Sequence, residues 1–540
     1  MQDVSSKKSS LMLGESLQQP GNDLEYKSEQ ESRLQGNKQA NQDALCLRYL
    51  GFSTDEVISF VRMSGPFTAA TAIASIANFM TAKFLSALGE DGLAASGLIT
   101  STMLLTQGFL YSPLYAVGVI AGHANGQQDN DALLKTLQQG YIFAGLLSLP
   151  LITIYANTQL MWLDLGQKSN IAKITQEFFN GFLYGCYADL FLINTQQYAL
   201  GVNKANVVFI SSLIQKFLTL GVGYCWMFGE LGLPEAGPLG MGYGYSIGGL
   251  MATMYLITVL ALDQKLSFRA LSACADFKNR LDTLKTIVKV GLPIGVHIGS
   301  ETLSLSAMLA ISGLLGTTEL VTAEIAMQYA GLCVVPIFGA SQAGSVLISQ
   351  ALGANNAKLA KQYANACYYI GSILPFIFFI TLSTAPVPLT KLFLEDSIAN
   401  KASIIELCKP LFIILGASLI QDFLRNASIG ALRGLKDTVI PMWINLGASI
   451  ANIALSYLLA FPATLGDNGI FFARDIAITI TACVFLWRWI KQINTMLIPT
   501  EPQKTTQYAS NRNIMFNAQR QSVHQETTEA PVYTVQKTHS

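Results

Sequence analysis

Two carboxylates stand in otherwise apolar stretches: Glu301, eight residues after Pro293, and Asp422, twelve residues before Gly434. An ionised side chain inside a membrane-length apolar run costs about 2.5–3.5 kcal/mol, so such residues are functional candidates from the outset. Two carboxylates facing one cavity repel, and at least one then takes up a proton or holds a cation. A hard ion such as Na⁺ wants several oxygens, whereas a proton needs one carboxylate. Glu301 and Asp422 are therefore the candidate cation-coupling pair, and the candidate Na⁺ ligands if Na⁺ is the ion. The competing reading is that a structural partner neutralises each acid, for instance Arg425 one helical turn from Asp422.

Accessory candidates surround this pair. His297 lies four residues before Glu301, on the same helix face, and titrates near neutral pH as a proton relay would. Glu324 is a possible third acid, or a residue at the lipid headgroups. Asp189 is expected to pair with Lys83 or Lys216, two cations that also fall in apolar stretches. Tyr111, Tyr115, Phe182, Tyr184, Phe338 and Met327 offer rings and thioethers suited to flat hydrophobic cations, although such residues commonly just pack.

The elements that must carry these residues are membrane helices. The chain is 51% hydrophobic and 13% charged, with mean hydropathy +0.39, against about 25% charge in soluble proteins. Its apolar blocks reach spanning length. Twelve spans are expected, at about 57–87, 93–120, 133–156, 173–200, 206–228, 239–262, 285–313, 320–350, 362–385, 403–431, 438–461 and 470–492. Positions repeat: Pro66 and Pro293, Gly89 and Gly316, and Gly126 and Gly353 are each 227 residues apart, and Asp189 and Asp422 are 233 apart. The expected fold is an all-α integral membrane protein, with twelve transmembrane helices in two six-helix repeats around a central cavity.

The expected organisation is a tail over 1–55, a first lobe over 56–262, a linker over 263–284, a second lobe over 285–495 and a tail over 496–540. Both tails are polar and without apolar periodicity, which predicts disorder. The N-terminal stretch has no signal-peptide pattern. Basic residues, among them Lys135, Lys204, Lys265, Arg269, Arg433 and Lys436, concentrate in connections on one side. This places both termini in the cytoplasm. The eight cysteines have no metal or disulfide spacing. The formal net charge of zero gives no reason to expect a nucleic-acid partner. No Walker A or G-x-S-x-G stretch occurs, so neither ATP drive nor enzyme chemistry is expected.

Four stretches then carry a resemblance: Leu88-Gly-Glu-Asp-Gly-Leu-Ala-Ala95, Gly229-Glu-Leu-Gly-Leu-Pro-Glu-Ala-Gly237, Gln350-Ala-Leu-Gly-Ala354 and Gly430-Ala-Leu-Arg-Gly-Leu-Lys-Asp-Thr438. In order and spacing the chain resembles the multidrug and toxic compound extrusion (MATE) family over about 57–492. The resemblance implies an antiporter exporting organic cations or other amphiphiles against Na⁺ or H⁺, without a cofactor. It also implies acids at Glu301 and Asp422 that bind cations. Many members carry an Asp in the first helix; here Thr81 stands nearest that place and Lys83 follows, which moves the expected coupling to the second half. A lipid or lipid-linked oligosaccharide flippase of the same superfamily is the near alternative, and a transport-dead sensor or scaffold is the distant one. The expected partners are a small amphiphile and membrane lipid, the expected state a monomer, and the expected location a bacterial inner membrane.

Overall fold

The computed structural model describes residues 51–262, 277–392 and 401–497. The expected tails at 1–50 and 498–540, and the linker between 263 and 276, lie outside the described residues. The packing discussed below falls within the unit that ends at Trp489.

Seventeen α-helices are described. The first half holds α1 (Thr54–Ser86), α2 (Glu90–Thr106), α3 (Tyr115–Gly126), α4 (Asn130–Ala156), α5 (Thr158–Asp164), α6 (Ser169–Phe182), α7 (Cys186–Gly201), α8 (Ala205–Phe228) and α9 (Pro238–Leu262). The second holds α10 (Phe277–Leu315), α11 (Thr317–Gly353), α12 (Ala357–Gly371), α13 (Ile373–Thr384), α14 (Pro386–Lys391), α15 (Lys401–Gly434), α16 (Val439–Ala460) and α17 (Gly466–Leu497). Eleven stretches among the described residues are long and apolar enough to cross a membrane. Their outward faces carry large apolar side chains such as Phe79, Leu149, Phe217 and Trp443, which suits contact with lipid. Helix α10 starts at Phe277, inside the segment expected as a linker. A capping box between Ser53 and Glu56 starts α1 within the expected tail.

The expected span at 173–200 is not one helix. It breaks at Leu183–Gly185 into α6 and α7, each too short to span alone. The cause lies in α9. A Cβ on Gly181 would run into the Leu239 carbonyl, and one on Gly185 would run into the Ser246 backbone. This close crossing leaves the Gly181 carbonyl without a backbone partner, and Ser246 supplies one: its hydroxyl donates to the Gly181 oxygen at 2.8 Å and also reaches, at 3.2 Å, the Phe182 oxygen that the Gly185 N–H already caps at 3.0 Å. Irregular backbone at membrane depth is tolerated where a neighbour satisfies it in this way.

A second irregularity separates α2 from α3. A π turn (Gln107–Tyr111) and a 3₁₀ turn (Ser112–Leu114) interrupt the span, a pattern common at functional sites. The interruption rests on Gly291, Gly295 and Gly299, which line one face of α10 and leave room for Pro113 and Phe109. Small residues allow helices in lipid to approach closely.

The halves also meet at the ends of α3 and α11. A Cβ on Gly126 would strike the Gln350 carbonyl, and one on Gly353 would strike the His123 carbonyl. The repeat mates thus cross reciprocally. Ser349 Oγ donates to the Val119 oxygen at 2.6 Å, and Gln350 Nε2 donates to the Gly201 oxygen and to Asn203 Oδ1, both at 2.9 Å. These bonds close this end of the molecule.

Candidate functional site

Asp422 and Arg425 are three apart on α15, so they share a face, and Asn426 joins them one residue on. Arg425 donates to Asp422 Oδ1 from Nε at 3.1 Å and from Nη2 at 2.7 Å, and to Asn445 Oδ1 on α16 at 3.3 Å. Its Nη2 also donates to Glu301 Oε1 on α10, so one guanidinium bridges the two expected acids. Asn426 Nδ2 reaches Asp422 Oδ1 at 2.9 Å. Arg474 on α17 completes the cluster, with Nη1 on Ser418 Oγ at 2.7 Å and Nη2 on Asp422 Oδ2 at 3.4 Å. Four helices are tied at this point.

Exposure separates the two acids. The Asp422 side chain is 2% exposed and that of Glu301 is 29%. Glu301 borders a cleft lined also by Ser304, Arg425, Asn445, Asn452 and Arg474. Of the two carboxylates, Glu301 is therefore the more accessible. Arg425, raised at the outset as a neutralising partner for Asp422, neutralises Glu301 as well. Arg474 was missed. Its signal was an Arg-Asp pair, Arg474 and Asp475, inside an apolar run.

The accessory candidates scatter. His297 is buried, with its Nδ1 lacking a hydrogen-bond partner. Glu324 lies exposed on α11 and accepts from Gln328 Nε2 at 2.9 Å, apart from the cluster. Asp189 on α7 accepts from Gln215 Nε2 at 3.0 Å. Lys216 directs its Nζ over the Tyr245 ring, 5.6 Å from the centroid, and Lys83 is exposed in the last turn of α1. Gln215 is thus the hydrogen-bonded partner of Asp189, while Lys216 lies within electrostatic reach of the carboxylate without an ion pair of its own. Phe182 belongs to a packed core with Tyr155 and Tyr245 rather than to an open aromatic surface. A second cleft, in the first half, holds Asn78, Thr81 and Tyr245; Thr81 Oγ1 and the Tyr245 hydroxyl are 3.3 Å apart. Arg433, counted above among the connections, is inside the last turn of α15 and 3% exposed.

The MatE family model matches residues 66–225 and again 293–458, more than half of the chain in two successive blocks. The chain belongs to the MatE family. A probable multidrug resistance protein NorM from Rhizobium meliloti is 25% identical over 413 residues, covering 75% of this chain and 86% of that protein. A protein of the same description from a Synechococcus species is 22% identical over 445 residues, covering 81% and 94%. Among solved structures, a MOP-superfamily transporter from Pyrococcus furiosus superposes with TM-score 0.72 at 15% identity, over 83% of this chain and 98% of that one. An outward-facing multidrug resistance MATE family transporter superposes with TM-score 0.72 at 16% identity, over 82% and 96%. This MatE chain is thus an all-α, multi-pass integral membrane protein and a transporter rather than an enzyme.

Proposed function

We propose that this MatE chain is a secondary active antiporter that exports amphiphilic small molecules, with H⁺ as the coupling ion and Glu301 as the carboxylate that exchanges it. The observation that carries this reading is the Arg425 bridge. A Na⁺ ion would have to displace a guanidinium and gather several oxygens. A proton needs only one oxygen of Glu301, and by neutralising it frees Arg425 from one of its two carboxylates. Asp422, buried and held by both arginines, keeps Arg425 anchored through that exchange. Counting α6 and α7 as one broken crossing, the eleven apolar spans become twelve, in two lobes of six over 56–262 and 285–495. Lys and Arg placement favours both termini in the cytoplasm, in the inner membrane of a bacterium, and one chain suffices to form the path.

The test is dye efflux from cells stripped of other pumps, comparing wild type with Glu301→Gln and with Glu301→Gln plus Asp422→Asn at equal membrane expression. Export that disappears in both variants, and that an imposed pH gradient drives in proteoliposomes, supports the proposal. Drive by a Na⁺ gradient at constant pH would overturn the choice of ion. Full export by the double variant would move coupling away from the second half.

A further inference from the structure

A file of hydroxyls and amides runs from the coupling cleft toward the end of α10. Glu301, Ser304, Asn452 and Arg474 line the cleft. Asn452 Nδ2 on α16 donates to Ser304 Oγ at 3.0 Å and lies 3.4 Å from Met308 Sδ. Ser456, one turn further along α16, donates to Asn452 Oδ1 at 3.4 Å. On α10 the same face continues from Ser304 through Met308 to Ser312, in steps of one turn. The two helices run in the same direction, since Asn445 meets Ser300 at 3.3 Å and Asn452 meets Ser304 and Met308 further on. That register sets Ser456 between Met308 and Ser312. Ser312 and Ser456 are both fully buried.

The file ends on an acid. Ser312 Oγ donates to Asp467 Oδ1 in the first turn of α17. Asp467 is 6% exposed, and its Oδ2 has no hydrogen-bond partner. Among the described residues no Lys or Arg lies within ion-pair distance of it. Glu319 on α11 and Cys408 on α15 are the other titratable groups in its electrostatic range, and neither is a cation. Asp467, Arg474 and Thr481 recur every seven residues on α17, so they share one face, and the last two line the cleft. Bonds between packed helices account for the serines and asparagines. They do not account for an acid, because an asparagine would accept from Ser312 equally well. A buried carboxyl without a cation is costly unless it takes a proton, while its place in the first turn of α17 favours the anion. The group therefore holds either state.

We propose that Asp467 is the carboxyl that loads Glu301 with protons from the side of the membrane where α10 ends, the outer side in the orientation given above. The inference rests on the proton-coupled reading and adds the route to it. Outer water protonates Asp467, and Asp467 passes that proton to Ser312. Each hydroxyl or water along the file then takes one proton and gives one up, until Glu301 is neutral. Only O–H bonds form and break, and Asp467, left as the carboxylate, is reloaded from outside. Asn452 is an amide and carries no proton itself. It holds the Ser456 and Ser304 hydroxyls in line, and water in the cleft carries the proton past it.

The experiment uses the purified full chain in proteoliposomes and reads uptake of radiolabelled ethidium in two ways: driven by an acid lumen, and by counterflow against unlabelled ethidium at equal pH on both sides. Counterflow exchanges dye for dye and needs no proton transfer. Asp467→Asn keeps an acceptor for Ser312 and is expected to slow driven uptake by roughly tenfold or more, with counterflow as in wild type. Asp467→Glu should restore most of the drive. Should Asp467→Asn fold poorly, Ser312→Ala with Ser456→Ala serves, and is expected to slow driven uptake alone. Driven uptake that is unchanged in these variants, or that falls in parallel with counterflow, overturns the proposal. A wild type that does not respond to the pH gradient overturns the proton-coupled reading and this inference with it, whereas a pH-driven wild type matched by Asp467→Asn overturns the inference alone.

Discussion

Arg425 holds carboxylates from two helices with a single planar group, a geometry that the point charge of a lysine cannot reproduce. Arg425→Ala would leave Glu301 without its partner and Asp422 with only Asn426 and Arg474. Breaking a buried pair from one side costs about 3–5 kcal/mol, so a fall in melting temperature of the purified protein is expected, with Arg425→Lys intermediate. Glu301→Gln should melt close to wild type, because the bonds among Asp422, Arg425, Asn426 and Arg474 remain; a large fall would mean that Glu301 serves stability instead. The candidate acids were legible in the sequence because a carboxylate in an apolar run is conspicuous. The partner of Asp189 was not, since nothing in the order of residues distinguishes Gln215 from Lys216 beside it; the rotation of α8 decides which reaches the carboxylate. Nor was the burial of Arg433 legible, for it stands next to the turn residues Leu435, Lys436 and Asp437 and so resembles a loop cation.

At the level of elements, helix count and the duplicated pattern could be read from apolar periodicity, while the two interruptions could not. No proline marks the break between α6 and α7. The break follows from how closely α9 approaches Gly181 and Gly185, a tertiary fact. Ser246→Ala would remove the donor to the freed Gly181 carbonyl at a cost of about 1–3 kcal/mol. Differential scanning fluorimetry should register it as a lower melting temperature, and an unchanged value would mean that the carbonyl has another partner. Gly185→Val is expected to be worse, since its side chain meets the α9 backbone rather than the movable end of a side chain.

Across the whole molecule, the reciprocal crossing of α3 and α11 couples the halves at one end. Gly126→Val and Gly353→Val each push a branched side chain into the carbonyl of the opposite half, which is expected to part that end. An Ala351→Cys reporter in a cysteine-free background is 2% exposed at its native position. It should react with maleimide several times faster when Gly126→Val is added, and equal rates would show that the closure has other supports. Because Gln350, Ser349 and their partners remain, a partial opening with retained fold is the expected outcome.

The bond from Ser246 to the broken span also bears on the order of synthesis. Gly181 leaves the ribosome 65 residues before Ser246, so for that interval the segment enters the bilayer with the Gly181 carbonyl lacking the donor that satisfies it in the folded protein. Its two short pieces cannot be stable as a spanning unit until α9 arrives beside them. Insertion of this region is therefore post-dated to the synthesis of a later helix. A nascent chain arrested before residue 239 should leave a cysteine placed at Leu183 open to water-borne alkylation, and one arrested after residue 262 should shield it.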